Sequence, residues 1–597
     1  MTMQTEKTET LFDAAAPPPG PRPAAERRRA WRLPALRPRL FPRREAAVEV
    51  ARSRLFVTGC AFFVAFGVVT AKLVDASLYD PARQVRIDPG RAALEAPEPR
   101  QLRADIVDRN GELIATSLPV ASLCARPKLI RDPAAAAFLV AGVLPHMSAA
   151  AIQAELERGK DYVWLRRHIT PKQHQALIGL GLPGLCFERE QRRVYPQAGL
   201  ASHIAGFADL DGRGLAGVER AFNTVLDERA ESLTLSIDLR VQRILREEVA
   251  YAMERFQAIG GVGVMMDVET AEVVGMISLP DFDPNDAGAA ADDARFDRAM
   301  LGVYEMGSTF KLMTAAQALE SGAADMSTRV DATKPLRIGR YTIRDFHAEN
   351  RWLSLSEVLI HSSNVGAARI AELSGPAAQR AFLGSLGLLT TSGIELEELG
   401  APLAPRRWAD VHMLTIAFGH GLAVTPLHLT TAVSALVNGG VFRQPTILKR
   451  LDGEEPKGER VISEKVSQNM RRLMRLVASE GTGRKADVDA YPVGGKTGTA
   501  EKAAGRRGYN RNARLASFIA AFPIQRPKYV LLVMVDEPKP RKDTYGYATG
   551  GWVAAPAVKR IIERSAPLLG LAPLPADSKD WLGPVLRDTS PASGKAT

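Results

Sequence analysis

The chain has 597 residues, of which 46% are hydrophobic, so it is too long for one ordinary domain and has enough apolar residues for a sizeable core. The formal net charge is +11, but residues 1–54 hold 12 lysines and arginines against 6 acidic residues and so carry about half of that charge. The remainder is only mildly basic and contains no zinc-finger or RNA-binding motif, which argues against nucleic acid as a partner.

Cysteine content is low. The three cysteines are too few for a disulfide framework, and Cys60 falls in an apolar run, which leaves Cys124 and Cys186 as the one pair that could form. The sequence favours two isolated, half-buried thiols here and leaves their pairing open. No cluster of cysteine, histidine or acidic residues has the spacing of metal ligands, so no metal site is predicted.

Two segments at the N-terminus differ sharply in composition. Residues 1–53 are rich in proline, alanine and arginine, and are predicted to form a disordered basic tail. Residues 54–74 contain an uncharged apolar run, Leu55 to Ala71, and are predicted to form a single uncleaved membrane anchor. Arginines precede this run, so we expect a cytoplasmic N-terminus and a body outside the cytoplasmic membrane. A buried helix of a soluble core is the disfavoured alternative.

Residues 75–232 are predicted to form a non-catalytic pedestal domain. Within the run Asp108-Arg109-Asn110-Gly111, the pair Asn110-Gly111 is typical of the turn of a β-hairpin. From residue 116 onward the pattern mixes short strands with amphipathic helices. This segment contains no recognisable constellation of catalytic residues.

Residues 233–566 are predicted to form an α+β domain, with an antiparallel sheet flanked by helices. Asp238 is a good N-cap for a long amphipathic helix, and Glu269-Thr270-Ala271 is a turn between two apolar strands. A large helical insert, three more strands and a closing helix from Val553 to about Ala566 complete the pattern. Residues 567–597 are rich in proline and serine and are predicted to be a flexible tail. The three later strands are expected at Lys496–Ala500, Ser517–Phe522 and Tyr529–Val535.

A serine followed three residues later by a lysine opens one apolar helix of this domain. Residues three apart share one face of a helix, so the hydroxyl of Ser308 and the amine of Lys311 can touch. A helix start stabilises a developing alkoxide, and a desolvated, neutral lysine is a competent base for a serine nucleophile. The spacing alone is weak evidence, since an ordinary helical serine with a solvated lysine gives the same pattern.

Two later motifs favour a catalytic Ser308–Lys311 pair over an ordinary helical serine with a solvated lysine. Ser362-Ser363-Asn364 is almost uninformative by itself. Gly494-Gly495-Lys496-Thr497-Gly498-Thr499 is more specific, because glycines beside a strand let a ligand backbone approach closely, and the lysine and hydroxyls can bind a carboxylate. All three motifs in this order, behind a membrane anchor, make coincidence improbable.

The motifs Ser308-x-x-Lys311, Ser362-x-Asn364 and Lys496-Thr497-Gly498 form the signature of penicillin-binding proteins and class A β-lactamases. The chain resembles a class B penicillin-binding protein, and most closely the division-specific, FtsI-type transpeptidases. The resemblance extends from the anchor to about residue 566, and Met306, where the family usually has proline, is a minor departure. The resemblance also covers four shorter segments: Asp108 to Gly111, Gly217-Val218-Glu219, Leu279 to Asn285, and Phe418-Gly419-His420-Gly421.

This resemblance implies an elongated α/β pedestal and a serine β-lactamase-like transpeptidase domain. It also implies that Ser308 attacks the carbonyl between the terminal D-alanines of a peptidoglycan stem peptide, with Lys311 as general base. Backbone N–H groups of Ser308 and Thr499 would hold the oxyanion. Ser362 would relay a proton to the leaving D-alanine, and Asn364 would position Lys311 and the substrate. The implied substrate-binding residues are Lys496, Thr497, Gly498 and Thr499.

No cofactor is implied, and β-lactams are expected to acylate Ser308 because they mimic the D-Ala-D-Ala end. The resemblance further implies a single-pass protein of the inner membrane with a periplasmic catalytic domain. Its expected partners are a membrane glycan polymerase of the FtsW type and other division proteins. The alternatives are an elongation-type transpeptidase, a β-lactamase, a bifunctional glycan polymerase, and a non-enzymatic β-lactam sensor or division scaffold.

Overall fold

The computed structural model describes residues 46–78, 102–339, 341–451, 453–503 and 509–574. The predicted N-terminal tail therefore lies outside the described residues up to residue 45. The predicted flexible C-terminal segment lies outside them from residue 575 onward.

One long helix, α1, spans Ala46–Leu78 and begins inside the stretch for which the composition predicts disorder. Its segment Arg54–Lys72 has a mean hydropathy of 1.9, and none of its side chains is buried. An apolar run of this length is sufficient to cross the hydrocarbon core of a bilayer. Among the described residues, α1 is the only helix that meets this criterion of length and composition.

The residues from Arg100 onward form a separate unit, which begins with a five-stranded sheet. The long strand β2 is its centre: β1 and β3 pair with it in antiparallel register, β4 pairs along most of its length, and β5 lies parallel to β1. The strands are β1 (Ile106–Val107), β2 (Leu113–Ala125), β3 (Val163–Ile169), β4 (Leu185–Val194) and β5 (Leu233–Thr234). The helices are α2 (Pro133–Val143), α3 (Ala149–Leu156), α4 (Pro171–Gly179), α5 (Ser202–Ala205), α6 (Gly217–Ala221) and α7 (Asn223–Glu228).

The predicted hairpin turn is confirmed between β1 and β2. Gly111 has a φ of +88°, which favours glycine, and its N–H donates to the carbonyl of Asp108 at 3.0 Å. The Asp108 carboxylate also accepts from the backbone N–H of Leu239, at 3.1 Å, and Arg109 contacts Glu272 at 3.1 Å. This hairpin therefore connects the first sheet to the elements that follow it.

Cys124 and Cys186 form a disulfide between β2 and β4. The strand register places them directly opposite each other, with their Cα atoms 4.9 Å apart. The prediction of two isolated thiols is therefore wrong. The pairing depends on a register between strands 62 residues apart, which the spacing of cysteines in the sequence does not reveal.

The second sheet has the order β14-β15-β16-β6-β7 and is antiparallel throughout, as the sequence predicts. Two strands before the insert and three after it meet because β16 pairs with β6. The closing helix also forms, somewhat longer than expected. The strands are β6 (Gly260–Asp267), β7 (Val273–Leu279), β14 (Gly494–Ala503), β15 (Tyr509–Phe522) and β16 (Tyr529–Asp536).

Helices cover both faces of this sheet. Alternate strand residues bury Phe518 and Val533 on one face, against α8 (Leu239–Phe256) and α17 (Gly550–Leu568). The neighbouring residues Ile519 and Leu532 enter the larger core formed with the helical insert. Asp238 caps α8 by accepting from the N–H of Arg240 at 3.0 Å, as predicted.

The insert between β7 and β14 consists of eight helices and three small strand pairs within the described residues. Its helices are α9 (Asp292–Arg295), α10 (Lys311–Glu320), α11 (Leu355–Ile360), α12 (Asn364–Ser374), α13 (Pro376–Ser385), α14 (Asp410–Ile416), α15 (Pro426–Val437) and α16 (Glu464–Ser479). Its strands are β8 (Arg329–Asp331), β9 (Leu336–Ile338), β10 (Tyr341–Ile343), β11 (Trp352–Ser354), β12 (Val441–Phe442) and β13 (Glu459–Arg460).

Candidate active site

Ser308 lies on a short 3-10 turn, Gly307–Phe310, that leads directly into α10. Gly307 has a φ of +56°, and a β-carbon there would approach the carbonyl oxygen of Thr499 to 2.7 Å. Glycine is required because this backbone conformation and this close approach both exclude a side chain. The turn therefore holds Ser308 against β14. Met306 is buried just before it, and its carbonyl accepts from the Thr309 hydroxyl at 2.9 Å.

The amine of Lys311 lies at the centre of the site and is almost fully buried, at 1% exposure. Its Nζ is 3.0 Å from Ser308 Oγ and 2.8 Å from Asn364 Oδ1. It also lies 2.6 Å from the carbonyl oxygen of Ser362 and 3.1 Å from the Ser362 hydroxyl. The first two motifs, about fifty residues apart in the chain, thus meet around one nitrogen.

Ser362 lies in the turn between α11 and α12 and has a φ of +58°. This left-handed conformation is uncommon outside glycine and points to a position fixed by its surroundings. Its hydroxyl contacts both lysines, at 3.1 Å from Lys311 Nζ and 2.9 Å from Lys496 Nζ. Ser362 therefore links the amine beside Ser308 to the amine on β14.

The third motif forms the edge strand β14. Lys496 is fully buried, and the hydroxyl of Thr497 shares a hydrogen bond of 2.8 Å with Thr482, on the loop after α16. A β-carbon on Gly498 would lie 2.9 Å from the carbonyl oxygen of Met306 and would collide with Ser517. The hydroxyl of Thr499 accepts from the N–H of Gly550 at 3.2 Å.

The two buried lysines have depressed pKa values. Burial lowers the pKa of Lys496 from 10.5 to about 7, because the ammonium loses its hydration. Burial also lowers the pKa of Lys311 well below its ordinary value of 10.5, and the nearby charge of Lys496 acts in the same direction. Asp345 opposes this effect without reversing it. Lys311 is therefore suited to accept a proton near neutral pH.

The site lies at a cleft with a volume of about 650 Å³. Of the predicted site residues, the cleft is lined by Ser308, Ser362, Asn364, Thr497 and Thr499, whereas the two lysines are buried and do not line it. Within the described residues, no group of three or more histidine, cysteine or acidic side chains is arranged to hold a metal ion. The structure thus brings together all eight residues that the motifs single out.

Comparison with known proteins identifies the family of this chain. Residues 261–563 match the penicillin binding protein transpeptidase domain, and residues 100–238 match the penicillin-binding protein dimerisation domain. The chain is 42% identical over 482 residues to the probable peptidoglycan D,D-transpeptidase FtsI of Caulobacter vibrioides, an alignment that covers 79% of this chain and 82% of the relative.

The chain is a class B penicillin-binding protein. It is also 31% identical over 499 residues to peptidoglycan D,D-transpeptidase FtsI of Escherichia coli K12, which covers 77% of this chain and 82% of that protein. The fold is similar to that of penicillin binding protein 3 of Mycobacterium tuberculosis, solved in complex with aztreonam. That match has a TM-score of 0.63 at 24% identity and covers 79% of this chain and 97% of the other.

Asp345 supports the active site of this penicillin-binding protein but is not part of any motif. Its carboxylate accepts from the backbone N–H groups of Asn364, at 2.5 Å, and Val365, at 2.9 Å, and from the Ser363 hydroxyl at 2.6 Å. It thereby fixes the start of α12, on which Asn364 lies. Asp345 lies twenty residues before Val365, with β11 and α11 between them, so no spacing rule could have found it.

Glu305 is a second residue that sequence reasoning left without a role. Its Oε1 accepts from the N–H of Gly421 at 2.7 Å and from the Tyr509 hydroxyl at 3.0 Å. Glu305 therefore ties the start of the Ser308 turn to the Phe418–Gly421 segment and to β15. The only indication of this role in the sequence is that Glu305 lies three residues before Ser308.

We expect Asp345→Ala to slow acylation of Ser308 by a fluorescent penicillin by about tenfold or more, because Asn364 would lose the anchor that positions it against Lys311. The free energy of unfolding should fall by about 1–2 kcal/mol, as for loss of a helix cap. Asp325→Ala is the matched control, since Asp325 is exposed and its carboxylate binds, among the described residues, only Ser327 and Thr328 in a turn of the insert. Equal acylation rates in the two variants would contradict this role of Asp345.

Proposed function

We propose that this penicillin-binding protein is a septal peptidoglycan D,D-transpeptidase in which Ser308 forms the acyl-enzyme. The 3.0 Å contact between Ser308 Oγ and the buried amine of Lys311 carries the proposal. A neutral amine has two N–H groups and one lone pair. The Ser362 carbonyl and Asn364 Oδ1 accept the two N–H groups, so the lone pair remains available for the Ser308 hydroxyl.

Acylation follows from this arrangement. Ser308 Oγ attacks the carbonyl carbon of the penultimate D-alanine, while its proton passes to Lys311 Nζ. The oxyanion forms next to the backbone N–H groups of Ser308 and Thr499, a stabilisation typically worth about 3–4 kcal/mol per donor. Gly307 is in close contact with the Thr499 backbone, which supports the proposal that the N–H groups of Ser308 and Thr499 bind the same oxyanion.

Release of the leaving group uses Ser362. Its hydroxyl lies between the two lysines and can pass the proton from Lys311 to the amine nitrogen of the departing D-alanine. The C–N bond then breaks and the acyl ester remains on Ser308. The terminal carboxylate binds at Lys496, Thr497 and Thr499, with Gly498 allowing the substrate backbone to approach.

The second half-reaction reverses these proton movements. An amine of a second stem peptide attacks the ester carbonyl and loses a proton through the same relay, and Ser308 leaves as the restored hydroxyl. The products are one free D-alanine and one cross-linked peptide.

We further propose the domain division already predicted: 1–53 tail, 54–74 anchor, 75–232 pedestal, 233–566 transpeptidase domain and 567–597 tail. In this arrangement, α1 spans the inner membrane with its N-terminus in the cytoplasm, and the catalytic domain is periplasmic. The disulfide of Cys124 with Cys186 supports this orientation, because such bonds persist in oxidising compartments and not in the cytosol.

The septal role rests on the likeness to the relatives named FtsI. It implies that the chain works with a membrane glycan polymerase of the FtsW type and with other division proteins that contact the anchor and pedestal. An elongation-type transpeptidase is the runner-up, because the chemistry of the two types is the same.

Ser308→Ala should abolish covalent labelling of the full-length chain by a fluorescent penicillin in isolated membranes, because no other group replaces the nucleophile. Ser385→Ala, an exposed serine on α13, is the matched control and should label as wild type does. A wild-type band that decays over hours distinguishes a transpeptidase from a β-lactamase, whose band would disappear in seconds. A folded wild-type chain without a band would support a non-enzymatic scaffold instead.

The second-order rate constant for penicillin acylation should decrease above about pH 7. The reason is that Lys496 binds the drug's carboxylate only when protonated, and its pKa in the free enzyme is about 7. In Lys496→Arg this alkaline decrease should vanish, because guanidinium stays charged. The exposed Lys559→Arg is the control and should keep the wild-type profile. An unchanged alkaline decrease in Lys496→Arg would exclude Lys496 as its source.

A fluorescent protein that matures only in the cytoplasm, fused to residue 1 of the full-length chain, should give a fluorescent band at the division site. Depletion of the chain should produce filaments with unfinished septa. Swollen or rounded cells with completed septa would favour the elongation role. A dark fusion that is nevertheless full length and membrane-bound would overturn the proposed orientation.

A further inference from the structure

Two basic side chains, Arg484 and Lys485, line the active-site cleft at the end next to Thr497. They lie on the turn Arg484–Ala486, shortly after Thr482, whose hydroxyl shares a hydrogen bond of 2.8 Å with that of Thr497. Both side chains are exposed. Among the described residues, no carboxylate forms a salt bridge with either of them. This end of the cleft therefore presents two positive charges that the described part of the chain does not neutralise.

Aromatic rings lie beside these cations. The ring of Trp552 has its centre 2.9 Å from Lys485 Nζ, which is a cation–π contact. The ring of Tyr547 is parallel to that of Trp552, with the two centres 6.4 Å apart, and both residues line the cleft. The exposed ring of Tyr545 meets Trp552 edge-on at 5.7 Å. Aromatic surface next to unpaired cations suits a ligand that combines aliphatic carbon with a carboxylate.

A second cavity, of about 290 Å³, adjoins the cleft here and shares Lys485 and Trp552 with it. Among the described residues, its lining has three basic side chains and one acidic side chain, Asp543. That carboxylate is already paired with Arg255 at 2.9 Å and with Arg541 at 3.0 Å. Loss of hydration and the charge of Arg255 lower the pKa of Lys485, as expected for an ammonium without a counter-ion. The cleft therefore continues into a basic cavity.

The direction of the donor peptide shows which substrate can reach this end. In the proposed function, the donor's terminal carboxylate binds at Lys496 and Thr497 and its attacked carbonyl lies at Thr499, so the donor ends at Thr497 and its remainder runs the other way along β14. The acceptor amine forms the kind of bond that the departing D-alanine breaks, so it attacks from the position of the departing nitrogen. From that vacated position, the acceptor extends past Thr497 toward Arg484 and Lys485.

We propose that Arg484, Lys485 and Trp552 form the acceptor site of the transpeptidase. Its ligand is an amine whose adjacent carboxylate replaces that of the departed D-alanine and which carries a second, distal carboxylate. Arg484 and Lys485 bind the distal carboxylate, while the aliphatic carbon between the two carboxylates rests on Trp552 and Tyr547. The amine nitrogen bonds to the acyl carbon, the bond from that carbon to Ser308 Oγ breaks, and the proton that the nitrogen loses passes to Oγ. This inference rests on the proposed transpeptidase function and adds the chemical class of its second substrate.

The test measures how the acyl-enzyme of the detergent-solubilised, full-length chain partitions between an amine and water. One donor peptide that ends in D-Ala-D-Ala is used throughout. The acceptors are the D-forms of 2-aminoadipate, 2-aminopimelate and 2-aminosuberate, whose side chains place the distal carboxylate at increasing reach. Each is paired with its distal amide, which has the same size without the charge. For at least one length, the ratio of transfer to hydrolysis should be about fivefold higher for the carboxylate than for the amide.

The variants test the two cations separately and together. Arg484→Gln and Lys485→Gln should each reduce this preference about twofold, and the double variant should bring carboxylate and amide to nearly equal use. Both acceptors meet the same acyl-enzyme, so any change in the donor step cancels from the comparison. Arg526→Gln and Lys465→Gln, at exposed residues that do not line the cleft, are the matched charge-neutralising controls and should keep the wild-type preference.

The outcomes separate this inference from the function on which it rests. Equal use of carboxylate and amide at all lengths by the wild-type chain, or a preference that survives in the double variant, would overturn the acceptor site and leave the transpeptidase intact. A wild-type chain that penicillin labels but that passes the acyl group only to water would overturn the transpeptidase itself, as would a folded chain that penicillin does not label.

Discussion

Burial of two lysine amines around one serine hydroxyl is the constraint on which the active site depends. Lys311 and Lys496 both contact Ser362 Oγ, and both are removed from solvent. Holding the pKa of Lys496 near 7 costs the fold on the order of 4 kcal/mol at pH 7, because the ammonium would be free in the unfolded chain. That cost is a large part of the net stability of an ordinary domain. The surrounding sheet and helices must offset it.

Electrostatic repulsion between the two ammonium groups makes the protonation states of Lys311 and Lys496 depend on each other. Two ammonium groups near one hydroxyl oppose each other, so the protonated state of one disfavours that of the other. The charge of Lys496 therefore lowers the pKa of Lys311. In the proposed function, protonated Lys496 binds the anionic peptide end while Lys311 stays neutral beside Ser308.

The sequence predicted the layout of the transpeptidase domain because its signals are local. Apolar strands, the Asp238 cap and the three motifs each depend on neighbouring residues, and the strands and the site formed where those signals lie. Asp345 and the disulfide of Cys124 with Cys186 depend instead on loop paths and strand register between distant residues. Physical rules for single segments contain no information on such pairings, so these features could not be predicted.

Two motifs of the pedestal have structural explanations that require no chemistry. Glu219, fully buried, accepts from Arg103 Nε at 2.8 Å and from Arg193 Nε at 2.6 Å, so loss of Glu219 would remove the carboxylate that these two buried guanidinium groups share. Asp108 closes its own hairpin and also binds the first N–H of α8, the helix that packs beneath β6 and β7. A resemblance that extends through the pedestal therefore reflects the joint between the two sheets. Because β14 belongs to the second of these sheets, that joint bears on the strand that carries Lys496 and Thr499.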